Sequence, residues 1–478
     1  MYSPTLEEIE SRRNEGNLVP IYREIVADLE TPVSAFLKIS HGGRAFLLES
    51  VEGGQWLARY SFIGTDPYLI VSSSGRAGAD PFEPIAQELA KHKIISVEGL
   101  PRFTGGAVGY LSYETAARFE DLPTPKRDPL GLPESQFMFV DTLLVFDHVT
   151  HRIKVCSHVR LNGNIEKSYQ EAVHRIDALV DRLRQPLQPH HEAAKPRSSS
   201  DANLSSNFSR EDFEACVAKI KEYITAGEAI QVVLSQRFAK ATYVAPLDIY
   251  RALRTISPSP YMFFLDMGDF CIIGASPEIL LRVEGGDVIT RPLAGTRPRG
   301  KTPEEDAKLE QELRNDEKER AEHIMLVDLG RNDIGRVSEP GSVEVSELME
   351  VEKYSHVMHL VTHVQGKLRD DMTPFDALRA CFPAGTVSGA PKIRAMQIIA
   401  ELEPEKRGVY AGAVGYFSFT GNMDMAIAIR TIVMKNGVAY AQTGCGVVYD
   451  SVPQREYEET QNKARGMLKA IEQAESSA

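Results

Sequence analysis

Residues 261–276 read Tyr261-Met-Phe-Phe-Leu-Asp-Met-Gly-Asp-Phe-Cys-Ile-Ile-Gly-Ala-Ser276. Two apolar runs, Tyr261–Leu265 and Phe270–Ala275, flank the short turn Met267-Gly268-Asp269, which predicts a pair of antiparallel strands. A second pair is predicted at Ala426–Met434 and Val438–Gly444, across Lys435-Asn436-Gly437. Working outward, strand-like runs occur at Ala45–Leu48, Tyr68–Ser72, Thr142–Phe146, Ile153–His158 and Ala229–Phe238. Helical spacing of apolar residues predicts helices over 81–92, 165–183, 209–226, 246–256, 304–328, 374–381, 391–401 and 454–473. The strands come mostly in neighbouring pairs and do not alternate strictly with helices. The fold class is therefore α+β, with helices covering antiparallel sheets.

One echo links distant parts of the chain. Gly105-Gly-Ala-Val-Gly-Tyr-Leu-Ser-Tyr113 resembles Ala411-Gly-Ala-Val-Gly-Tyr-Phe-Ser-Phe419. The matched glycines and aromatics predict pseudo-equivalent sheets in two halves, with strand glycines marking close backbone approach. Between the halves, residues 185–207 are rich in Pro, Ser and His and lack apolar period, which is the composition of an exposed linker.

The chain has 478 residues with 54 Lys+Arg and 67 Asp+Glu, a net charge of −13. That balance speaks against a nucleic-acid binder and against an anionic membrane surface as partner. The five cysteines are scattered without a C-x-x-C pair, so neither a disulfide framework nor a zinc ribbon is supported. No apolar run reaches the length of a membrane span, and the first residues lack the basic and apolar regions of a leader. A cytoplasmic protein is expected. Trp56 is the single tryptophan.

Two acidic helices carry the best local chemistry. Glu319 and Glu322 are three residues apart, as are Glu456 and Glu459, so each pair shares one helix face. Alone, each reads as a solvated face; opposed, they would offer hard oxygen ligands to Mg²⁺. Three glycine-containing segments accompany them. Arg291-Pro-Leu-Ala-Gly-Thr-Arg-Pro-Arg-Gly300 crowds three arginines that could grip a carboxylate. Pro383-Ala-Gly-Thr-Val-Ser-Gly-Ala-Pro-Lys392 runs from loop into helix, and Gln442-Thr-Gly-Cys-Gly446 follows a strand. None of them is a nucleotide-binding fingerprint.

With Ile230-Gln-Val-Val-Leu-Ser235, Ser257-Pro-Ser-Pro-Tyr-Met-Phe-Phe264, Gly274-Ala-Ser-Pro-Glu278, Glu322-His-Ile-Met-Leu-Val-Asp-Leu-Gly-Arg-Asn-Asp333 and Asp450-Ser-Val-Pro-Gln454, these segments resemble the chorismate-utilising enzymes, and among them the anthranilate-forming branch. The resemblance covers most of the chain and is densest over about 225–465. It implies the chorismate-binding fold, two packed antiparallel sheets with helices between and around them (β/α/α/β). It implies an N-terminal region 1–184 with a regulatory site, the linker 185–207 and a catalytic region 208–478.

The same resemblance assigns roles. Glu322 and Glu459 match magnesium ligands, with Glu319 and Glu456 as neighbours. Gly295, Thr296, Tyr410, Arg430, Lys463 and the backbone of Gly444, Cys445 and Gly446 match chorismate contacts. Glu278 matches a general acid for the leaving hydroxyl, Thr386 a residue beside the reacting ring, and His359 a base for pyruvate loss; His356 and His363 are read as structural. Gln231 stands where water-using relatives carry a lysine, and Ala294 where aminodeoxychorismate synthases do, which favours anthranilate as product. Leu47-Leu-Glu49-Ser50 and Pro260-Tyr261-Met262 match the two sides of an L-tryptophan inhibitor pocket. No glutamine amidotransferase nucleophile elbow is found, so a separate amidotransferase subunit (component II) is the implied source of ammonia.

Overall fold

The computed structural model describes residues 1–50, 59–74, 80–187, 204–354 and 357–477. Trp56, His356 and most of the predicted linker (188–203) lie outside the described residues.

Tyr261–Asp266 and Phe270–Ser276 form the predicted hairpin, in register from Tyr261 opposite Ser276 to Asp266 opposite Cys271. Along Tyr261–Asp266 both alternating faces are apolar. Met262 and Phe264 pack into one buried cluster while Phe263 and Leu265 pack into another. A strand apolar on both faces must be covered on both sides, so the hairpin lies inside a sheet rather than at an edge.

Among the described residues, 12 strands form a first sheet and 10 a second, and every pairing between these strands is antiparallel. The first sheet runs through Ala45–Glu49, Tyr261–Asp266, Phe270–Ser276, Thr431–Lys435, Val438–Val447 and Gln231–Ala241. The second runs through Asp287–Thr290, Ile279–Glu284, Met423–Ile427, Ala413–Ser418 and Gly106–Leu111. Both sheets draw strands from either side of residues 188–203.

The sheets meet directly through Phe46, Phe62, Phe263 and Ile272 of the first and Val108, Tyr110, Val414 and Tyr416 of the second. Elsewhere helices fill the space between them. Phe213, Val217, Leu378, Met396 and Ile399 share one core with Val232, Leu234 and Val447 of the first sheet and Leu281, Met425 and Ile427 of the second. The outer face of the first sheet is covered by Ile165–Arg184, Pro246–Ile256 and Pro453–Ser477. No helix among the described residues is long and apolar enough to cross a membrane.

Three expectations are corrected. The predicted helix 304–328 is two helices, Pro303–Asn315 and Glu317–Gly335. Asp316 separates them at ψ 110°, and its carboxylate caps the second by accepting from the N–H groups of Lys318 and Glu319. The predicted strand 426–434 is also two, Met423–Ile427 in the second sheet and Thr431–Lys435 in the first. The chain crosses between sheets at Arg430, whose φ is +49°, a conformation that strains a residue with a Cβ. Finally, the echo does not mark equivalent sheets. Gly106–Leu111 and Ala413–Ser418 are adjacent strands of one sheet with Gly109 opposite Gly415. A Cβ on either glycine would strike the backbone of the next strand, at Gln136 and Asp424 respectively.

Candidate active site

The hairpin's second strand ends at Ser276, and Glu278 follows. Its carbonyl accepts a 3.0 Å hydrogen bond from Ile427 N–H, which ties the residue to the crossover strand. Its side chain is 6% exposed, facing Thr386 and Arg430. Burial pushes the carboxyl up to about 8, only partly opposed by the Thr386 hydroxyl, the Leu293 N–H and the Arg430 charge. At neutral pH Glu278 therefore holds its proton. Thr386 Oγ1 is buried and meets no partner at hydrogen-bond geometry.

Arg430 is the feature that marks the site as a receptor for an anion. The sheet crossover holds it part-buried, its carbonyl accepting from Ala275 N–H at 3.1 Å. Burial pushes its pKa down. Its charge reaches both Glu278 and His359, yet among the described residues its guanidinium has no hydrogen bond and no ion pair. A buried guanidinium left unpaired is costly unless a ligand completes it.

His359 lies opposite Thr296 across the strand pair. Its Nδ1 is 2.9 Å from the Gly295 carbonyl and 3.0 Å from Thr296 Oγ1. A carbonyl only accepts, so Nδ1 carries the hydrogen and Nε2 keeps a lone pair. Burial, reinforced by Arg430, lowers its pKa to about 4, so the ring is neutral. Gly295 sits at a strand irregularity with φ +64°, and a Cβ there would lie 2.8 Å from Leu313 Cδ1 and 3.3 Å from Glu319 Oε2.

The glycines of 442–446 face the same space. Gly444 approaches Tyr410, since an added Cβ would lie 2.7 Å from the phenol oxygen. Gly446 approaches Gln231, with Nε2 2.6 Å from such a Cβ. Gln231 Nε2 then donates to Glu322 Oε1 at 3.2 Å. Lys463 Nζ donates to the Gly444 carbonyl at 3.0 Å and pairs with Glu459 at 2.7 Å. Cys445 turns its buried thiol toward the Leu234 carbonyl, away from this backbone path. Glu456 feels Glu459 of its own helix and, more weakly, the charge of Lys318 in the first turn of the other acidic helix. Burial, with Glu322 contributing, raises the Glu319 carboxyl.

These carboxylates suit a hard divalent cation. Among the described residues no three donors converge at ligating distance. Mg²⁺ needs only one or two protein carboxylates, with waters and substrate oxygens completing its shell. One glutamate from each helix would meet that number.

The five inhibitor-site candidates, Glu49, Ser50, Pro260, Tyr261 and Met262, line one cavity of about 510 Å³ between the sheets. Glu49 is engaged by Tyr250 and by Arg254 at 3.1 and 3.2 Å, while Ser50 Oγ is buried without a partner. Tyr261 donates to Asp424 at 3.1 Å and accepts from Arg282 at 3.1 Å.

Two expectations about arginines change. Arg291, Arg297 and Arg299 do not wait for substrate: they pair with Glu352, with Asp316 and Glu319, and with Asp306. The buried hub Arg407 escaped sequence reading altogether. It pairs with Glu403 at 2.7 Å, donates to the carbonyls of Val387 at 2.7 Å and Val233 at 2.6 Å, and lies over the rings of Tyr113 and Tyr410. It thereby fixes the Thr386 loop, the Gln231 strand and Tyr410 together. Glu403 and Arg407 lie beyond the end of the helix Lys392–Leu402, with Pro404 between them, so no helical spacing announces the pair.

Comparison with known proteins fits this geometry. Residues 43–469 match the family described as chorismate binding enzyme. The chain is similar to an anthranilate synthase component 1 from Acetivibrio thermocellus, 51% identical over 99% of each chain. It is also similar to one from Pseudomonas aeruginosa, 48% identical over 96% of this chain and 97% of the relative. A crystal structure of anthranilate synthase component I from Streptococcus pneumoniae superposes with a TM-score of 0.78, at 41% identity, over 93% of this chain and 98% of that one.

Proposed function

The chain belongs to the chorismate-binding enzyme family, and on that premise we propose that it converts chorismate and ammonia into anthranilate and pyruvate. The observation that carries the mechanism is the trio of protonated Glu278, unpaired Arg430 and neutral His359 around one space. Arg430 receives a substrate carboxylate, and Lys463 with the backbone of Gly295 and of Gly444–Gly446 confines the rest. Ammonia attacks C2 while Glu278 gives its proton to the departing 4-hydroxyl, which leaves as water, and the new C2 ammonium releases its extra proton. His359 Nε2 then takes the C2 hydrogen as the C3–O bond breaks and the ring becomes aromatic, and the released enolpyruvate is protonated at its methylene carbon to give pyruvate. Mg²⁺ held by Glu322 and Glu459, with Glu319 and Glu456 behind them, would neutralise carboxylate charge as the leaving group departs.

Ammonia comes from a separate glutamine amidotransferase subunit (component II). L-Tryptophan inhibits from the inter-sheet cavity, its indole against Pro260, Met262 and Val414 and its polar end toward Ser50. It acts by favouring a state with lower affinity for chorismate. The test is an assay of the chain with chorismate, Mg²⁺ and ammonium, with and without tryptophan. Fluorescent anthranilate and stoichiometric pyruvate, suppressed by tryptophan, are expected. 4-Amino-4-deoxychorismate as the product would sink the assignment.

A further inference from the structure

Glu278 and Thr386 line a small cavity of about 40 Å³ together with Thr290, Leu326, Leu329, Gly330, Cys381 and Asp333. It contains none of the residues assigned to hold magnesium or the substrate carboxylates, and Glu278 and Thr386 are the two assigned catalytic groups that line it. At roughly 10–15 Å³ per water, the volume holds about three or four waters. The lining offers them polar partners: the Glu278 carboxyl, the orphaned Thr386 hydroxyl, Thr290 Oγ1 and the Asp333 carboxylate. A water there would complete Thr386 Oγ1, which approaches the Glu278 carboxyl but makes no well-formed hydrogen bond among the described residues.

Asp333 closes the far end. Its Oδ2 takes Lys392 Nζ at 2.7 Å, and that ammonium also donates to the Cys381 carbonyl at 3.0 Å. The Asp333 and Lys392 side chains are 10% and 11% exposed, so this pair borders both the cavity and bulk water. The proposed reaction leaves a matching need. Glu278 loses a proton to the departing hydroxyl in every turnover, while bound substrate fills the front of the site. The proton must return from another side.

We infer that the cavity is a water-filled proton path through which Asp333 returns a proton to Glu278 from bulk solvent. The step balances: a bulk proton enters at Asp333, hops along the waters past Thr386, and lands on the Glu278 carboxylate; no bond other than O–H bonds is made or broken. This inference rests on Glu278 being the acid of the proposed reaction. Asp333 acts through the waters and is a positioning residue.

The experiment uses the full chain in the ammonium-dependent assay with three variants. Leu329→Phe fills the cavity and leaves the Asp333–Lys392 pair intact; Asp333→Asn removes the exchanging proton; Glu278→Gln removes the acid. For the first two, kcat falls about tenfold with little change in chorismate KM. The solvent deuterium isotope effect on kcat rises above the parent's, and small weak-acid buffers restore part of the rate. A structural defect alone would move none of the last three readouts in that way. An unchanged isotope effect in both Leu329→Phe and Asp333→Asn, with Glu278→Gln inactive, overturns the path and leaves the acid standing. Parental turnover in Glu278→Gln overturns the acid itself.

Discussion

In the active-site cradle, the part-buried Arg430 guanidinium has no hydrogen bond or ion pair among the described residues, Thr386 Oγ1 makes no well-formed hydrogen bond among them, and burial holds Glu278 in its neutral form. In the cavity between the sheets the same kinds of group close on one another. Arg102 pairs with Asp424 and Glu284 at 3.1 and 3.2 Å, Arg282 with Asp424 at 2.9 Å, and Tyr261 joins both Arg282 and Asp424. The first region spends stability to stay reactive; in the second the charged groups satisfy one another, Ser50 Oγ being the lining group left without a partner among the described residues. Substitutions in the two regions should therefore move activity and stability in opposite directions.

The largest effect is at Glu278. Replacing it with Gln keeps shape and removes the proton, and should lower kcat/KM for chorismate by about 10²–10⁴-fold, the range for a positioned general acid. The pH profile carries the sign. Glu278 is protonated below about 8 and His359 is neutral above about 4. At fixed free ammonia, kcat/KM should be flat between these values and fall about tenfold per unit above the upper one. A profile that stays flat well beyond pH 9 would show that Glu278 is not the acid.

Arg430→Met comes next. Loss of the carboxylate's partner should cost about 10²-fold in kcat/KM, at the lower end for a desolvated charge pair. The same change removes an unpaired buried charge, so the free protein should melt about 1–2 °C higher. Lower stability in this variant would mean that the guanidinium is satisfied before substrate arrives, and the contrast between the regions would be lost.

Much of this arrangement was legible in the sequence because it is local. The hairpin at 261–276 announces itself through two apolar runs and a glycine turn, and the E-x-x-E spacing puts each glutamate pair on one helix face. What escaped was decided across the chain. Residues 426–434 are apolar apart from Arg430 and Thr431, and a polar pair inside such a run does not by itself say that the chain turns between sheets; the two separate strand partners, Ile279–Glu284 and Phe270–Ser276, require it. The arginines of 291–300 looked available because their partners Asp306, Asp316 and Glu352 lie elsewhere in the chain. The Asp316 cap was readable, yet the acidic run around it masked the helix boundary. The echo was real but misread: Gly109 and Gly415 match because they face one another across a strand pair.

The smallest effect tests the self-satisfied region. Tyr261 gives its hydroxyl hydrogen to Asp424 and takes one from Arg282, so Phe leaves both ions one bond short without opening a void. A lost bond to a buried charged group costs about 1.5–3 kcal/mol, and the remaining Arg102 and Arg282 contacts to Asp424 cut that toward about 1 kcal/mol. In a chain of this size the melting temperature should drop by about 1–2 °C, opposite in sign to Arg430→Met. Tyr261 also lines the proposed tryptophan cavity, where a bound ligand adds stability in proportion to the logarithm of its concentration over Kd. Thermal melts of Tyr261→Phe with rising tryptophan therefore separate two quantities. A constant offset from the parent at every concentration means that the hydroxyl serves only the ion network. An offset that grows with tryptophan means that the hydroxyl also serves the ligand, and the cavity would then share the cradle's habit of holding a group for its guest.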